Sequence, residues 1–425
     1  MLFKDTNNYF SNFIKNKIKP KLKTLDFIKH IGPGLIVTVG FIDPGNWATN
    51  ISAGSDYGYT LLWVVTLSTI MLIILQHNAA HLGIASGLCL SEAASINLKP
   101  KTAKIVIVSA MLATIATAMA EILGASIALN MLFHIPLKLG ATLITIFVCW
   151  MLFINSYRKL ESIIIGFVSI IGLCFIIELT LIHIDWGKAL LYSVVPTIPK
   201  GSMLVIMGVI GAVVMPHNLF LHSEIIQSRQ WNLEDEVIIK KQLKYEFMDT
   251  LFSMGIGWAI NCSMILLAVS TFFTKHLPIG NLEQAQSMLV PLLGNASAII
   301  FALALLFAGI SSSVTAGMAG GSILAGLFKK CFDIKDRYTK IGVGITLLGG
   351  LIAIFFIKNT FQGLIWSQTL LAIQLPITIF AQIYLTSSKK VMGDYANATS
   401  TKIILWSIAI LICILNIILF ISTIY

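Results

Sequence analysis

Residues Gly32 to Ser55 read GPGLIVTVGFIDPGNWATNISAGS, and the polar interruption Asp43-Pro44-Gly45-Asn46 at their centre decides the fold. The positions around it are apolar: Leu35, Ile36, Val37, Val39, Phe41 and Ile42 before it, Trp47, Ala48 and Ile51 after it. A carboxylate at membrane depth costs at least about 2.5–3.5 kcal/mol on insertion scales, so an aspartate there needs a partner or a task. Pro44 removes a backbone donor and disfavours helical geometry at Asp43, while Gly45 tolerates whatever turn follows. The segment is expected to be a broken helix. Such breaks leave free carbonyls on one half and free amides on the other, the arrangement in which membrane carriers bind ions near the bilayer midplane.

The rest of the chain agrees with a membrane setting. It is 57% hydrophobic and 11% charged over 425 residues, with a mean hydropathy of +0.88, which excludes a soluble globular domain. Apolar stretches long enough to span fall at Ile31–Ser52, Thr60–Leu82, Ile105–Phe133, Leu139–Ile154, Ile163–Ile182, Met203–His222, Phe247–Phe273, Pro291–Phe328, Ile341–Ile357, Gly363–Leu385 and Ile403–Ile424. They predict an all-α polytopic membrane protein with eleven transmembrane helices. Basic residues crowd alternate loops, with Lys15 to Lys29, Lys99 to Lys104, Arg158, Lys159, Lys240 to Lys244 and Lys329 to Lys340 on one side. The positive-inside rule then puts the N-terminus in the cytoplasm and the C-terminus outside. This asymmetry accounts for the net charge of +10, so no nucleic-acid partner is inferred. Residues 1–30 read either as a basic arm suited to anionic lipid or as plain disorder, and they lack the apolar core of a signal peptide. The six cysteines sit in spans or inner loops, and no disulfide framework is implied. The abundance of Ile, Asn and Lys points to a bacterial plasma membrane.

A second proline break lies in the sixth span, at Met215-Pro216-His217-Asn218, 172 residues after the first. An odd number of crossings separates the two, so the broken helices enter from opposite faces of the membrane. This predicts an inverted repeat with discontinuous helices 1 and 6: spans 1–5 over residues 31–183, spans 6–10 over 203–386, and an appended eleventh helix over 401–425.

The breaks face each other with complementary donors. Asp43 offers an anionic oxygen, Asn46 an amide oxygen and Met215 a soft sulfur, and unwound backbone at Gly40 and Ala212 could add carbonyl oxygens. Oxygen-rich sites with one soft ligand suit Mn²⁺ and Fe²⁺, whereas Mg²⁺ and Ca²⁺ gain nothing from a thioether. Core packing is the bland alternative for Met215. His77 and His81 lie at i and i+4 on one face of span two, but no acid lies near them in sequence.

The two motifs resemble the paired signatures of the Nramp (natural resistance-associated macrophage protein) family. The likeness extends through Gln76 with Leu82-Gly83, Ala120-Glu121 and Gly124, Arg158-Lys159-Leu160-Glu161, Asp249, Ser311-Ser312, Ser367-Gln368, Gln374-Leu375-Pro376 and Met392-Gly393. It implies a LeuT-like fold and proton-coupled uptake of manganese or ferrous iron by alternating access. Metal binding would fall to Asp43, Asn46 and Met215, with Gln76 and Gln368 approaching the ion. A proton path would run through Asp43, Glu121 and His217 toward Arg337. The metal would be the transported substrate; no resident cofactor and no obligatory protein partner are expected.

The chain departs from that pattern where Ala118 stands at a position usually held by an aspartate of the relay, and the glutamines usual at Ile310 and Gly321 are absent. A paired arginine near the start of span nine is reduced to Arg337 with Lys340 nearby. Uncoupled transport is therefore an alternative. A 100 mV potential is worth roughly 2.3 kcal/mol per charge, about three orders of magnitude of accumulation for a divalent ion. A magnesium carrier is disfavoured by Met215, and an amino-acid carrier by Asp43, which would repel a substrate carboxylate. An intramembrane enzyme lacks support, since His-Glu-x-x-His, Gly-x-Ser-x-Gly, Cys-x-x-Cys and a Gly-Lys-Ser/Thr phosphate loop are all missing.

Overall fold

The structure, a computed structural model, describes residues 33–40, 42–155, 157–228, 236–277 and 279–424. The expected basic arm over residues 1–30 lies outside them. Pro33–Gly40 (α1) stops short of the polar interruption and Pro44–Tyr57 (α2) resumes after it, capped by Asp43 in extended geometry with φ −69° and ψ 166°. Leu62–Ser86 (α3) follows a 3-10 turn and ends on Gly87, whose left-handed conformation (φ 69°) is one a glycine adopts at no steric cost. A short helix, Leu90–Asn97 (α4), leads into Pro100–Phe133 (α5), Leu137–Ile154 (α6) and Tyr157–Thr180 (α7). After Trp186–Val194 (α8), the second break separates Met203–Val213 (α9) from Pro216–Ser228 (α10). Then come Glu236–Thr271 (α11), Leu282–Leu293 (α12), Asn295–Leu327 (α13), Arg337–Phe356 (α14), Thr360–Thr386 (α15), Lys389–Met392 (α16) and Thr399–Ile424 (α17).

Ten stretches among the described residues are long and apolar enough to cross a membrane. The first, Pro44–Ser86, runs for 43 residues, about 65 Å of helix against an apolar bilayer thickness of about 30 Å. It turns at Gly58–Leu61, where Gly58 has φ 61°, and so contains two crossings. Counting the broken first helix and α3 separately gives the eleven expected. Two boundaries differ from expectation. The helix expected to start at Phe247 starts at Glu236, because Lys240, Lys241 and Lys244 hide it from an apolar count while favouring helix. The expected span from Pro291 is divided at Gly294, which has φ 92°.

Burial orders the bundle. The apolar window of α9–α10 is 94% buried, against 28% in α7 and 33% in α17. The second broken helix is thus the centre, and α7 and α17 are the rim, turning Ile170, Leu173, Ile176, Ile410, Ile414 and Ile417 outward, toward where lipid would lie. Long α5 and α13 meet closely enough that a Cβ on Gly309 would fall 2.8 Å from the Glu121 carbonyl.

Candidate metal site at the paired helix breaks

Both breaks follow from a missing donor. In an α-helix the N–H of residue i bonds the carbonyl of i−4; Pro44 and Pro216 have no N–H, so the carbonyls of Gly40 and Ala212 lose their helical partners. Ala212 O accepts instead from Asn46 Nδ2 at 2.9 Å, a bond that ties one broken helix to the other. The same nitrogen donates to Asp43 Oδ1 at 2.9 Å, and the Asn46 backbone N–H donates to that oxygen at 2.7 Å. Gly40 packs directly on the second break: a Cβ there would fall 2.0 Å from Asn218 Nδ2. That amide in turn donates to Met215 Sδ at 3.6 Å. Gln368 enters from α15, with its Nε2 only 1.7 Å from where a Cβ on Gly45 would stand.

Asp43, Asn46, Met215, His217 and Gln368 are all 0% exposed. Asp43 Oδ2, Asn46 Oδ1, Asn218 Oδ1 and Gln368 Oε1 have no hydrogen-bond partner among the described residues. Each such buried acceptor costs about 1–3 kcal/mol unless something positive meets it. The Asn46 amide group already bridges Asp43 Oδ1 and Ala212 O, standing where a cation would stand between those two oxygens. Turning that amide over would present Oδ1 to the same spot. No three His, Cys, Asp or Glu side chains among the described residues gather at one point; the donors here are one carboxylate, amides, a carbonyl and a thioether.

The other expected residues are placed unevenly. Gln76 is buried, and its Oε1 lies 2.8 Å from His222 Nδ1. Glu121 sits on α5 one turn before Gly124, where a Cβ would fall 2.0 Å from Pro44 Cβ, so its helix presses on the first break. Both Glu121 carboxyl oxygens are buried without a hydrogen-bond partner among the described residues. His217 Nδ1 lies 3.3 Å from Thr117 Oγ1, one turn from Glu121 on α5. Ala118 is fully buried where α14 closes on it, a Cβ on Gly350 falling 3.1 Å from the Ala118 Cβ. Arg337 is exposed at the start of α14 and is not brought to the breaks. His222 is 0% exposed.

One contributor, Asp249, which reads in the sequence as a structural partner or a helix-end charge, comes from a distant helix. Asp249 of α11 accepts from the Gly34 backbone N–H at 2.8 Å, capping the first turn of α1 from another helix. The signal was an acid inside an apolar span paired with a Gly-Pro-Gly opening, 215 residues away in the chain.

Comparisons with known proteins agree with this architecture. Residues 34–422 match the family described as natural resistance-associated macrophage protein-like. A protein named Divalent metal cation transporter MntH from Caldanaerobacter subterraneus subsp. tengcongensis is 36% identical over 394 residues, covering 92% of each chain. One of the same name from Agrobacterium fabrum is 37% identical over 412 residues, covering 94% of this chain and 89% of that one. A crystal structure of the Eremococcus coleocola manganese transporter superposes with a TM-score of 0.81 at 26% identity, covering 95% of this chain and 90% of that chain. MhsT in complex with L-phenylalanine matches at a TM-score of 0.61 and 16% identity, covering 92% of this chain and 98% of that chain, a likeness of fold alone. The fold is thus the LeuT-like one, and with 36% identity to curated members over nearly its whole length the chain belongs to the Nramp family.

Proposed function

We propose that the protein imports divalent transition-metal ions, Mn²⁺ and Fe²⁺, across a plasma membrane by alternating access at the paired breaks. The observation that carries this is the set of buried, unpartnered oxygens of Asp43, Asn46, Asn218 and Gln368 around two proline breaks, beside the Met215 sulfur. One carboxylate, neutral oxygens and a thioether favour a first-row transition metal over Mg²⁺ or Ca²⁺. The names of the relatives and of the structural neighbour point the same way. Because the donors are fully buried, an ion reaches them only when the half-helices move, which favours a carrier over a pore. The two halves, 31–183 and 203–386, would rock about the breaks as an inverted repeat, with the N-terminus cytoplasmic and the C-terminus outside.

Proton coupling through Glu121 and His217 is one half of the reading, and its uncoupled form has an observation in its favour. Thr117, a hydroxyl, is the hydrogen-bond partner of His217, and Ala118 is sealed by Gly350 where a relay carboxylate would stand. The test is Mn²⁺ influx into proteoliposomes under a set potential with a pH dye inside. Influx that acidifies the lumen supports symport; influx without acidification supports a potential-driven carrier. No influx of any transition metal would overturn the proposal.

A further inference from the structure

Helices α6 and α14 pack against each other at the rim of the bundle, where each has only 39% of its apolar window buried. Between the end of α6 and the segment leading into α14 lies a cavity of about 560 Å³, lined by Phe153, Ile154, Asn155, Ile334, Lys335 and Lys340. Its volume falls in the roughly 300–1,000 Å³ range of small-molecule sites. One part of the lining is apolar and outward-facing. Phe153 is 42% and Ile154 65% exposed, and they continue the exposed stripe of Ile146 and Trp150 on α6 and of Ile341 and Ile345 on α14. The other part is basic. Lys335 and Lys340 are exposed, and neither ammonium has an ion pair among the described residues.

The acids close by are engaged elsewhere. Asp336 Oδ1 accepts from Lys330 Nζ at 2.8 Å, and its Oδ2 accepts from the Tyr338 and Thr339 N–H groups. Asp333 Oδ1 accepts from the Lys335 backbone N–H at 2.9 Å. Asn155 donates its Nδ2 to the Met151 carbonyl at 2.9 Å. Two ammonium groups lining one cavity repel each other, and an anion held there relieves that repulsion.

We propose that this cavity holds the headgroup phosphate of an anionic membrane lipid, with Lys335 and Lys340 on the phosphate and the acyl chains along the outward faces of α6 and α14. The cavity stands at the ends of two membrane-crossing helices, where the apolar belt gives way to basic loops, which is the depth of a headgroup. Basic pockets between transmembrane helices on the cytoplasmic side suit such headgroups, and the positive-inside reading puts this end of both helices there. The apolar lining of Phe153, Ile154 and Ile334 favours a lipid over free phosphate, because hydrocarbon gives a hydrated inorganic ion nothing in return for its water. A zwitterionic lipid offers the same phosphate but brings a cation of its own beside the two lysines. The proposal requires only that the chain crosses a membrane and is independent of the ion it carries.

The experiment titrates the purified full chain in detergent with phosphatidylglycerol and follows binding by native mass spectrometry, with phosphatidylcholine of the same acyl chains and inorganic phosphate as comparison probes. The test variant carries Lys335→Gln and Lys340→Gln together. Lys200→Gln, which alters a different cavity beside Trp366, is the control. Wild type and Lys200→Gln should bind phosphatidylglycerol in preference to phosphatidylcholine, and the double variant should bind it roughly 30-fold more weakly, about fivefold for each lysine. Because both lysines are exposed, the lipid-free double variant should melt with the wild type, so the loss reports binding and not folding. Equal affinity for phosphatidylglycerol in wild type and double variant would overturn the proposal, as would equal binding of the two lipids by the wild type. Displacement of the lipid by millimolar inorganic phosphate would overturn it too, by making the cavity a site for a free anion.

Discussion

Gly45→Ala tests the closeness of Gln368 to the first break. The added Cβ would fall 1.7 Å from Gln368 Nε2 and 2.4 Å from its Cδ. Ordinary carbon contacts need about 3.5–4.0 Å, so the amide must retreat by roughly 2 Å. Because Nε2 is the far end of a flexible side chain, the fold tolerates the change better than a backbone clash, at a cost of about 1–3 kcal/mol typical of overpacking. The retreat displaces the Gln368 amide from the first break, where it is proposed to serve the ion. Losing one buried ligand of about 1.5–3 kcal/mol predicts Mn²⁺ affinity weaker by roughly 10- to 100-fold, at 1.4 kcal/mol per tenfold. The assay is calorimetric titration of Mn²⁺ into Gly45→Ala, Gln368→Ala and the double variant. If both changes act by removing the same ligand, the double variant binds no worse than the weaker single one. Wild-type affinity in Gly45→Ala, or losses that simply add, would refute the placement of Gln368 at the site.

Met215→Ala should keep Mn²⁺ influx while letting Mg²⁺ or Ca²⁺ compete, since the sulfur is the only soft donor proposed; unchanged selectivity in a competition uptake assay would remove sulfur from the ligand set. Asp249→Ala deletes the cap on the Gly34 N–H of α1 and should lower stability by about 1 kcal/mol, seen as a lower melting temperature in detergent; an unchanged one would mean the cap contributes nothing. Asp336, which caps α14, is held below the usual carboxylate range by hydrogen bonding to Lys330 first, then to the Tyr338 and Thr339 N–H groups. A depressed carboxylate stabilises above its ordinary value and stops doing so as pH falls through the depressed one, so the gap in melting temperature between wild type and Asp336→Asn should be flat near neutrality and close only below about pH 4.

The helix breaks were legible because proline and glycine act locally: Pro44 and Pro216 orphan Gly40 O and Ala212 O whatever the surroundings. The crossings were legible because the bilayer demands length and apolarity, and even the merged run over Pro44–Ser86 resolves at Gly58. Long-range partners were not. His77 and Glu246 lie 169 residues apart, and nothing in either neighbourhood announces the other. Nor does the chain announce that the packing of α10 against α3 buries His222 beside Gln76. Donor types could be read from the chain, but which oxygens go unpartnered depends on three helices meeting: Asn46 from α2, Ala212 from α9 and Gln368 from α15. Long α11 was shortened by the reading because a helix that leaves the bilayer loses its apolar signal and keeps its backbone bonds.

The central claim is that a transition-metal ion sits where the two broken helices meet. Crystals soaked in Mn²⁺ and measured at the manganese absorption edge would test it directly. The account predicts an anomalous peak at coordination distance from an Asp43 carboxylate oxygen, with Asn46 Oδ1 turned toward it and Met215 Sδ beside it. Anomalous density confined to other parts of the molecule, with Asn46 Nδ2 still bridging Asp43 and Ala212, would contradict it.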